Sequence, residues 1–381
     1  MKSAARSTAR LAAIGGLSAV AAAVIVAPAS ASASQNSKSS DAAVFVQSDN
    51  TAANTVVAYD RASDGSLRQA GVYPTGGLGG VLTGSAVDHL ASQGSLAYDQ
   101  AHGLLYAVNA GSDTITVFAV HGDRLQRTQV VSSGGTFPVS ITVHDNLVYV
   151  LNARDGGSVQ GFLRVGGSLL PVPAWHRALG LDPTLTPEFT HTPGQVAFTP
   201  DGKQLVVTTK ANGNDIDVFA VDRRGGLSAA PVVNAEPNAV PFAVAFDHAG
   251  HLLVAEAGPS ALASFAIGRD GTLTTVQQVA TGQAATCWLA ADGTRFFTSN
   301  AGSASLSGYR ERHSTLSALG NTATDPGTVD ASVSSDHGYL YVQTGAKGIV
   351  DAFRISPDGS LTAIGSVTVP GGVGGEGIVA S

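Results

Sequence analysis

The sequence predicts an all-β fold, a seven-bladed β-propeller with four-stranded blades, and three observations carry that reading. A strand ending in an aromatic residue recurs seven times, at Tyr59, Phe118, Phe162, Phe219, Phe265, Tyr309 and Phe353, with a base period near 44 residues and two enlarged gaps. Gly-containing hairpin turns recur at matching places, and the chain starts on the second strand of one repeat and ends on a first strand. A period of ~40–50 residues is the length of a propeller blade. Composition agrees: 46 Gly and 16 Pro among 381 residues load the chain with turns, while 44% hydrophobic residues supply a large core.

At the N-terminus, Lys2, Arg6 and Arg10 precede an apolar run from Leu11 to Val26, and small residues follow from Ala27 to Ser34. This is the three-part plan of a secretory signal peptide, residues 1–33, with cleavage after Ala31 or Ala33. No Arg-Arg pair precedes the run, so the general secretion route and an extracellular location are expected. The run falls short of the ~20 strongly apolar residues of a permanent anchor, so no stable membrane span is expected after cleavage. Residues 34–42 read as a polar tether and 43–381 as one propeller domain.

Within each repeat an inner strand such as Leu96-Ala97-Tyr98 leads through a hairpin to a second strand such as Leu104 to Asn109. A loop and the aromatic-ending third strand follow. First-to-second turns include Asp201-Gly202 and Asp292-Gly293, and third-to-fourth turns include Asp64-Gly65, Asp270-Gly271 and Asp358-Gly359. Such turns need positive φ, which Gly and Asp accept most easily. The first repeat opens at Val44-Phe45-Val46 without an inner strand, and Gly377-Ile378-Val379-Ala380 matches the missing piece. The C-terminus is therefore expected to complete the first blade and close the ring, leaving no open sheet edge at the junction.

Both enlarged gaps fall on one face of such a ring. Gly71 to Gly94, with Asp88 and His89, enters between the first and second blades. Val165 to Pro193, with Trp175, His176, Glu188 and His191, enters between the third and fourth. Long loops on a rigid scaffold commonly carry binding residues. Aligned ends of the second strands place Ser48, Asn109, Asn152, Thr209, Glu256, Asn300 and Thr344 in a polar collar, with Arg154 and Lys210 just beyond. Glu256 stands where other blades carry a neutral residue. Aligned inner strands start at Ser95, Ser140, Gln195, Ala243, Cys287, Ser332 and Gly377, with Glu376 one step outward. These groups suit a small oxygen-rich ligand, or simply make the tight turns that each blade requires.

The chain is acidic, with 21 Lys+Arg against 28 Asp+Glu, and loses three further cations with the leader. It has neither basic clusters nor interleaved aromatics, so nucleic acid is a poor partner. The lone Cys287 allows no intrachain disulfide and reads as a small buried strand residue. There is no G-x-S-x-G elbow, P-loop or dinucleotide fingerprint, and His248 and His251 read as a solvated turn rather than a metal site. No cofactor or metal is expected, and the protein reads as a monomer.

The stretches from Val196 to Val207 and from Leu105 to Ser112 resemble the repeat of the seven-bladed lactonase propellers, the family of propeller-type 6-phosphogluconolactonase and the carboxymuconate cyclases. The resemblance covers Val44 to Ser381 and implies a lactonase or cycloisomerase site at the channel mouth. Where that family typically carries Gly-Pro-Arg-His, this chain has Thr192-Pro193-Gly194-Gln195. Its preceding His motif is replaced by Phe137-Pro138-Val139-Ser140, and its Asn-Glu becomes Thr209-Lys210. Any activity therefore needs a relocated site. Candidate catalytic groups are His191 or Glu256 as base, with Lys210 or Arg154 as electrostatic partner. His89 offers a second imidazole, and His89, Asn109, Asn152, Arg154, Gln195, Asn300 and Glu376 are the candidate ligand-binding residues. The alternative is a secreted, non-catalytic propeller that binds a small polar ligand, a cell-wall fragment or a protein.

Overall fold

The computed structural model describes residues 42–381, so the predicted signal peptide and most of the tether lie outside the described residues. Blade 1 contains β1 (Ala43–Gln47), β2 (Thr55–Arg61) and β3 (Leu67–Pro74). Blade 2 contains β4 (Leu96–Asp99), β5 (Leu104–Asn109), β6 (Thr114–His121) and β7 (Arg124–Ser132). Blade 3 contains β8 (Pro138–His144), β9 (Leu147–Asn152), β10 (Ser158–Val165) and β11 (Ser168–Ala178). Blade 4 contains β12 (Val196–Phe198), β13 (Gln204–Thr208), β14 (Asp215–Ala220) and β15 (Val232–Ala235). Blade 5 contains β16 (Pro241–Phe246), β17 (Leu252–Glu256), β18 (Ala261–Ile267) and β19 (Leu273–Ala280). Blade 6 contains β20 (Thr286–Ala291), β21 (Arg295–Asn300), β22 (Ser305–Arg312) and β23 (Thr315–Ala323). Blade 7 contains β24 (Thr328–Val333), β25 (Tyr339–Thr344), β26 (Ile349–Ile355) and β27 (Leu361–Thr368), and β28 (Ile378–Ala380) follows.

All seven sheets are four-stranded, and the first runs β28-β1-β2-β3. The closure expected from the sequence is present: Val44, Phe45 and Val46 pair antiparallel with Ala380, Val379 and Ile378. Arg61 adds a second tie, donating to Asp336 of blade 7 at 2.8 Å and to the Ser381 carbonyl at 3.2 Å.

The recurring aromatics explain why the repeat is visible at all. All seven are at most 2% exposed, and burying each contributes ~1.5–3 kcal/mol. In every blade but the fourth, the pairing of third and outer strands shifts register immediately at that aromatic. Bulges there sharpen the local twist, which the flaring outer part of a blade requires.

Inner strands of neighbouring blades diverge, so their facing N–H groups cannot pair as a ladder. Side chains take them instead. Ser140 Oγ accepts from Val196 N, Gln195 Oε1 from Val244 N at 2.7 Å, Asp330 Oδ2 from Ile378 N at 3.2 Å, and Ser332 Oγ from Ala380 N. Gln195, a candidate ligand-binding residue by sequence, is committed here to joining blade 4 to blade 5.

Two boundaries differ from expectation. Residues 165–178 form a hairpin and the long outer strand β11, so Trp175 and His176 sit on the rim of blade 3, where Trp175 stacks on Tyr149. Only residues 179–195 belong to the second mouth loop. Register shifts in β20 and β24 also displace the aligned inner ring: the residues equivalent to Ser95 and Gln195 are Trp288 and Asp330, not Cys287 and Ser332.

Candidate active site

The two mouth loops, residues 75–95 and 179–195, do not stand open around a channel. They fold onto each other and across it. Close approach depends on glycine at Gly79, where an added Cβ would lie 2.0 Å from the Asp49 carbonyl oxygen. Further along the same loop, Gln93 mimics a strand edge against blade 6, accepting from Leu289 N at 2.7 Å and donating to Leu289 O at 2.8 Å. Trp288 Nε1 donates to Ser92 O at 2.7 Å. Residues 88–94 thus plug the mouth.

Lys210 holds the two loops together. Its Nζ donates to Ala91 O and Phe189 O, both at 2.6 Å, and to Thr192 Oγ1 at 3.0 Å, over the Phe242 ring. The side chain is 1% exposed. Burial pushes its pKa down and Asp88 opposes that. The two carbonyls each take an N–H of Nζ, and the Thr192 hydroxyl occupies its third direction. Lys210 therefore positions the loop that carries His191, and is walled off from any ligand.

The plug's own Asp88 and three carboxyl groups packed with it, Asp49, Asp330 and Glu376, are each at most 4% exposed. Asp88 accepts from Leu90 N and Ser92 N, Asp49 from Glu376 N, and Glu376 from Gly94 N at 3.0 Å. Burial pushes Asp49 up to about 8, Asp330 to about 7 and Asp88 to about 6, and Glu376 well above its ordinary range. Burial thus favours the protonated form across this cluster, most strongly at Asp49 and Glu376. Asp49 and Lys210 stand one step past the collar, a row otherwise filled by Ala110, Ala153, Ala257, Ala301 and Gly345. Two charges in an Ala/Gly row were the available sequence signal; the bulge in β24 hid Asp330.

The collar residues are likewise turned inward. Asn109 donates to Thr116 Oγ1 at 2.9 Å and accepts from Asn54, and Asn300 donates to Ser307 Oγ and accepts from Thr286. Asn152 donates weakly to Ser133 O and Ser158 Oγ. All three are fully buried. Glu256 is 1% exposed, accepts from Gln278 on the outer strand of its own blade, and is pushed up to about 7 by burial. His89 packs against Gly374, and burial lowers its pKa. His89, Glu256, Lys210 and His191 therefore do not converge on a common position. Among the described residues, no group of His, Cys, Asp and Glu is arranged to hold a metal ion.

One predicted pair does face solvent together. A cleft of about 160 Å³ beside the plug is lined by Arg154, Asp155, Leu181, Asp182, Leu185, Glu188, His191 and Asn212, among others. Arg154 stacks over Phe137 at 4.3 Å and is gripped by Glu188, with Nε to Oε1 at 2.6 Å and Nη2 to Oε2 at 3.2 Å. The guanidinium bonds hold the Glu188 carboxyl down to about 2. His191 sits at the end of a 3-10 turn, Glu188–Thr190. Its Nδ1 lies 2.9 Å from Pro187 O. A carbonyl only accepts, so Nδ1 carries the hydrogen, and in the neutral ring Nε2 keeps a lone pair. Asn212 Nδ2 donates to His191 O at 2.8 Å, fixing the turn from below. The larger cleft, about 710 Å³, lies at the opposite rim between hairpin turns of blades 4 and 5, lined by Asp201, Lys203, Asp247, His248 and Arg269, among others.

The family profile described as lactonase, seven-bladed β-propeller, matches residues 42–168. The chain is a seven-bladed propeller, and this first part of it is similar to that family. The ring superposes on the periplasmic gluconolactonase of Pseudomonas aeruginosa with a TM-score of 0.72 at 18% identity, covering 89% of this chain and 98% of that one. A candidate 6-phosphogluconolactonase from Bacteroides fragilis gives 0.68 at 18% identity, covering 89% and 98%. A protein from Lactobacillus plantarum gives 0.71 at 19% identity, covering 89% and 99%. No curated protein sequence matches the chain. The profile match ends before His191, so the candidate base lies outside the segment that matches the family.

Proposed function

We propose that this propeller opens a small lactone at the cleft between blade 3 and the second mouth loop, with His191 as general base. The observation that carries this reading is the bond from His191 Nδ1–H to Pro187 O, which leaves Nε2 to accept a proton at the cleft. Water deprotonated by Nε2 adds to the lactone carbonyl, and the oxyanion that forms faces the Arg154 guanidinium, whose Nη1 has no protein partner among the described residues. The ring C–O bond then breaks, and the proton on Nε2 passes to the departing alkoxide, giving the hydroxy acid. Lys210 takes no part in these steps beyond fixing Phe189 and Thr192 on either side of His191. The names of the Pseudomonas and Bacteroides relatives support a lactone as substrate, and the leader read from the sequence supports action outside the cell.

The second reading is a propeller that binds such a ligand without turning it over. It is favoured by the packed mouth and by the structural duties of Glu256 and Lys210. Base uptake by the purified chain across a panel of small lactones separates the two. Ring opening above the spontaneous rate, reduced ~10²-fold or more in His191→Ala, supports catalysis. Binding without turnover supports the alternative.

A further inference from the structure

The charge and size of the His191 cleft bear on which lactone it accepts, an inference that rests on the reading of His191 as the base. It is a small cleft, about 160 Å³, open to solvent on one side. One wall is apolar, from Leu181, Pro183 and Leu185. The other is charged, and the charges do not balance. Arg154 is the cation of the cleft, and Glu188 already neutralises it through two bonds. Asp155 and Asp182 add two carboxylates. Asp182 Oδ1 accepts from Thr184 N at 2.8 Å and Thr184 Oγ1 at 2.6 Å, which holds it below its usual range and so ionised. Asp155 Oδ2 accepts from Thr136 Oγ1 at 2.6 Å. No lysine lines the cleft.

We infer that this cleft takes an uncharged lactone of a single ring and rejects the same ring bearing a phosphate. A phosphate dianion would meet two carboxylates without a counter-cation. An uncharged ring lies against the leucine wall with its carbonyl toward Arg154 and His191.

The test is to compare kcat/KM for glucono-δ-lactone and for its 6-phosphate, with the full chain at low ionic strength. The expected result is a preference for the uncharged lactone of roughly tenfold or more. That preference should shrink as salt screens the carboxylates and shrink again in the double variant Asp155→Asn, Asp182→Asn. Equal rates, or a preference for the phosphate, would overturn the inference while leaving His191 as base. Opening of the uncharged lactone at the same rate by the parent and by His191→Ala would instead overturn the His191 reading. The parental ratio needs no variant, so the test survives if the double variant fails to fold.

Discussion

At the scale of single residues, the contrast between Lys210 and His191 shows what separates a structural from a chemical role. Both were candidates by position. Lys210 is bonded to both mouth loops and has no open side, whereas His191 has Nδ1 engaged and lines a cleft. Replacing Lys210 with Met would leave Ala91 O and Phe189 O unpaired and Asp88 without its cation. We expect a loss of ~3–5 kcal/mol in denaturant unfolding; a variant as stable as the parent would remove Lys210 from this role. Asn109, Asn152, Asn300 and Glu256 were legible as a ring because their strand positions repeat. Their direction was not, because it depends on third-strand partners such as Thr116 and Ser307 that position alone does not reveal.

At the scale of elements, the repeat made strands easy to place and loops hard to bound. The bulge at the third-strand aromatic, present in every blade but the fourth, is set by the flare of the blade, so a short motif marks a three-dimensional event. The stretch 165–178 has no such marker on its outer half. Its two prolines, Pro171 and Pro173, lie on the outermost strand, where a missing N–H faces solvent, and the sequence read as a loop. Bulges in β20 and β24 shifted the inner-strand alignment for the same reason, since an extra residue leaves the hydrophobic pattern readable while moving its register. The plug, residues 88–94, is held chiefly by polar bonds to distant blades, which no local pattern encodes. Trp288→Phe keeps the ring against Phe242 but leaves Ser92 O without its donor. We expect a cost of ~1–3 kcal/mol and faster amide exchange confined to residues 88–95. Unchanged exchange there would mean that the plug does not depend on this bond.

For the molecule as a whole, the buried carboxyls in and around the plug set the response to pH. Asp49, Asp330 and Asp88 have folded values of about 8, 7 and 6 against 3.8 for the free side chain. Between these limits the folded state keeps protons that the unfolded state has released, so stability falls as pH rises. Glu188 acts in the opposite sense: its folded value is about 2 against 4.5, so its contribution is complete above about 4.5 and is lost as pH falls through about 2. Lys210, lowered to about 7, adds stability with rising pH only above that point. The melting temperature should therefore be highest near pH 5 and decline towards pH 7. Asp49→Asn should flatten that decline. A Tm that climbs steadily from pH 5 to 7 would contradict the protonation assigned to the cluster. Ring closure, the most consequential expectation drawn from the sequence, is met by β28 against β1. Both mouth loops lie on one face because each runs from an outer strand to the next inner strand, and Arg154 and His191 line one cleft there.

The most direct test of the site is a crystal structure with a δ-lactam analogue, whose ring amide resists opening. The analogue should lie in the cleft between Arg154 and Leu185, with a water ~2.6–3.2 Å from His191 Nε2 and aimed at the ring carbonyl. An analogue bound only in the 710 Å³ cleft between blades 4 and 5, or bound with His191 Nε2 facing away, would contradict the assignment.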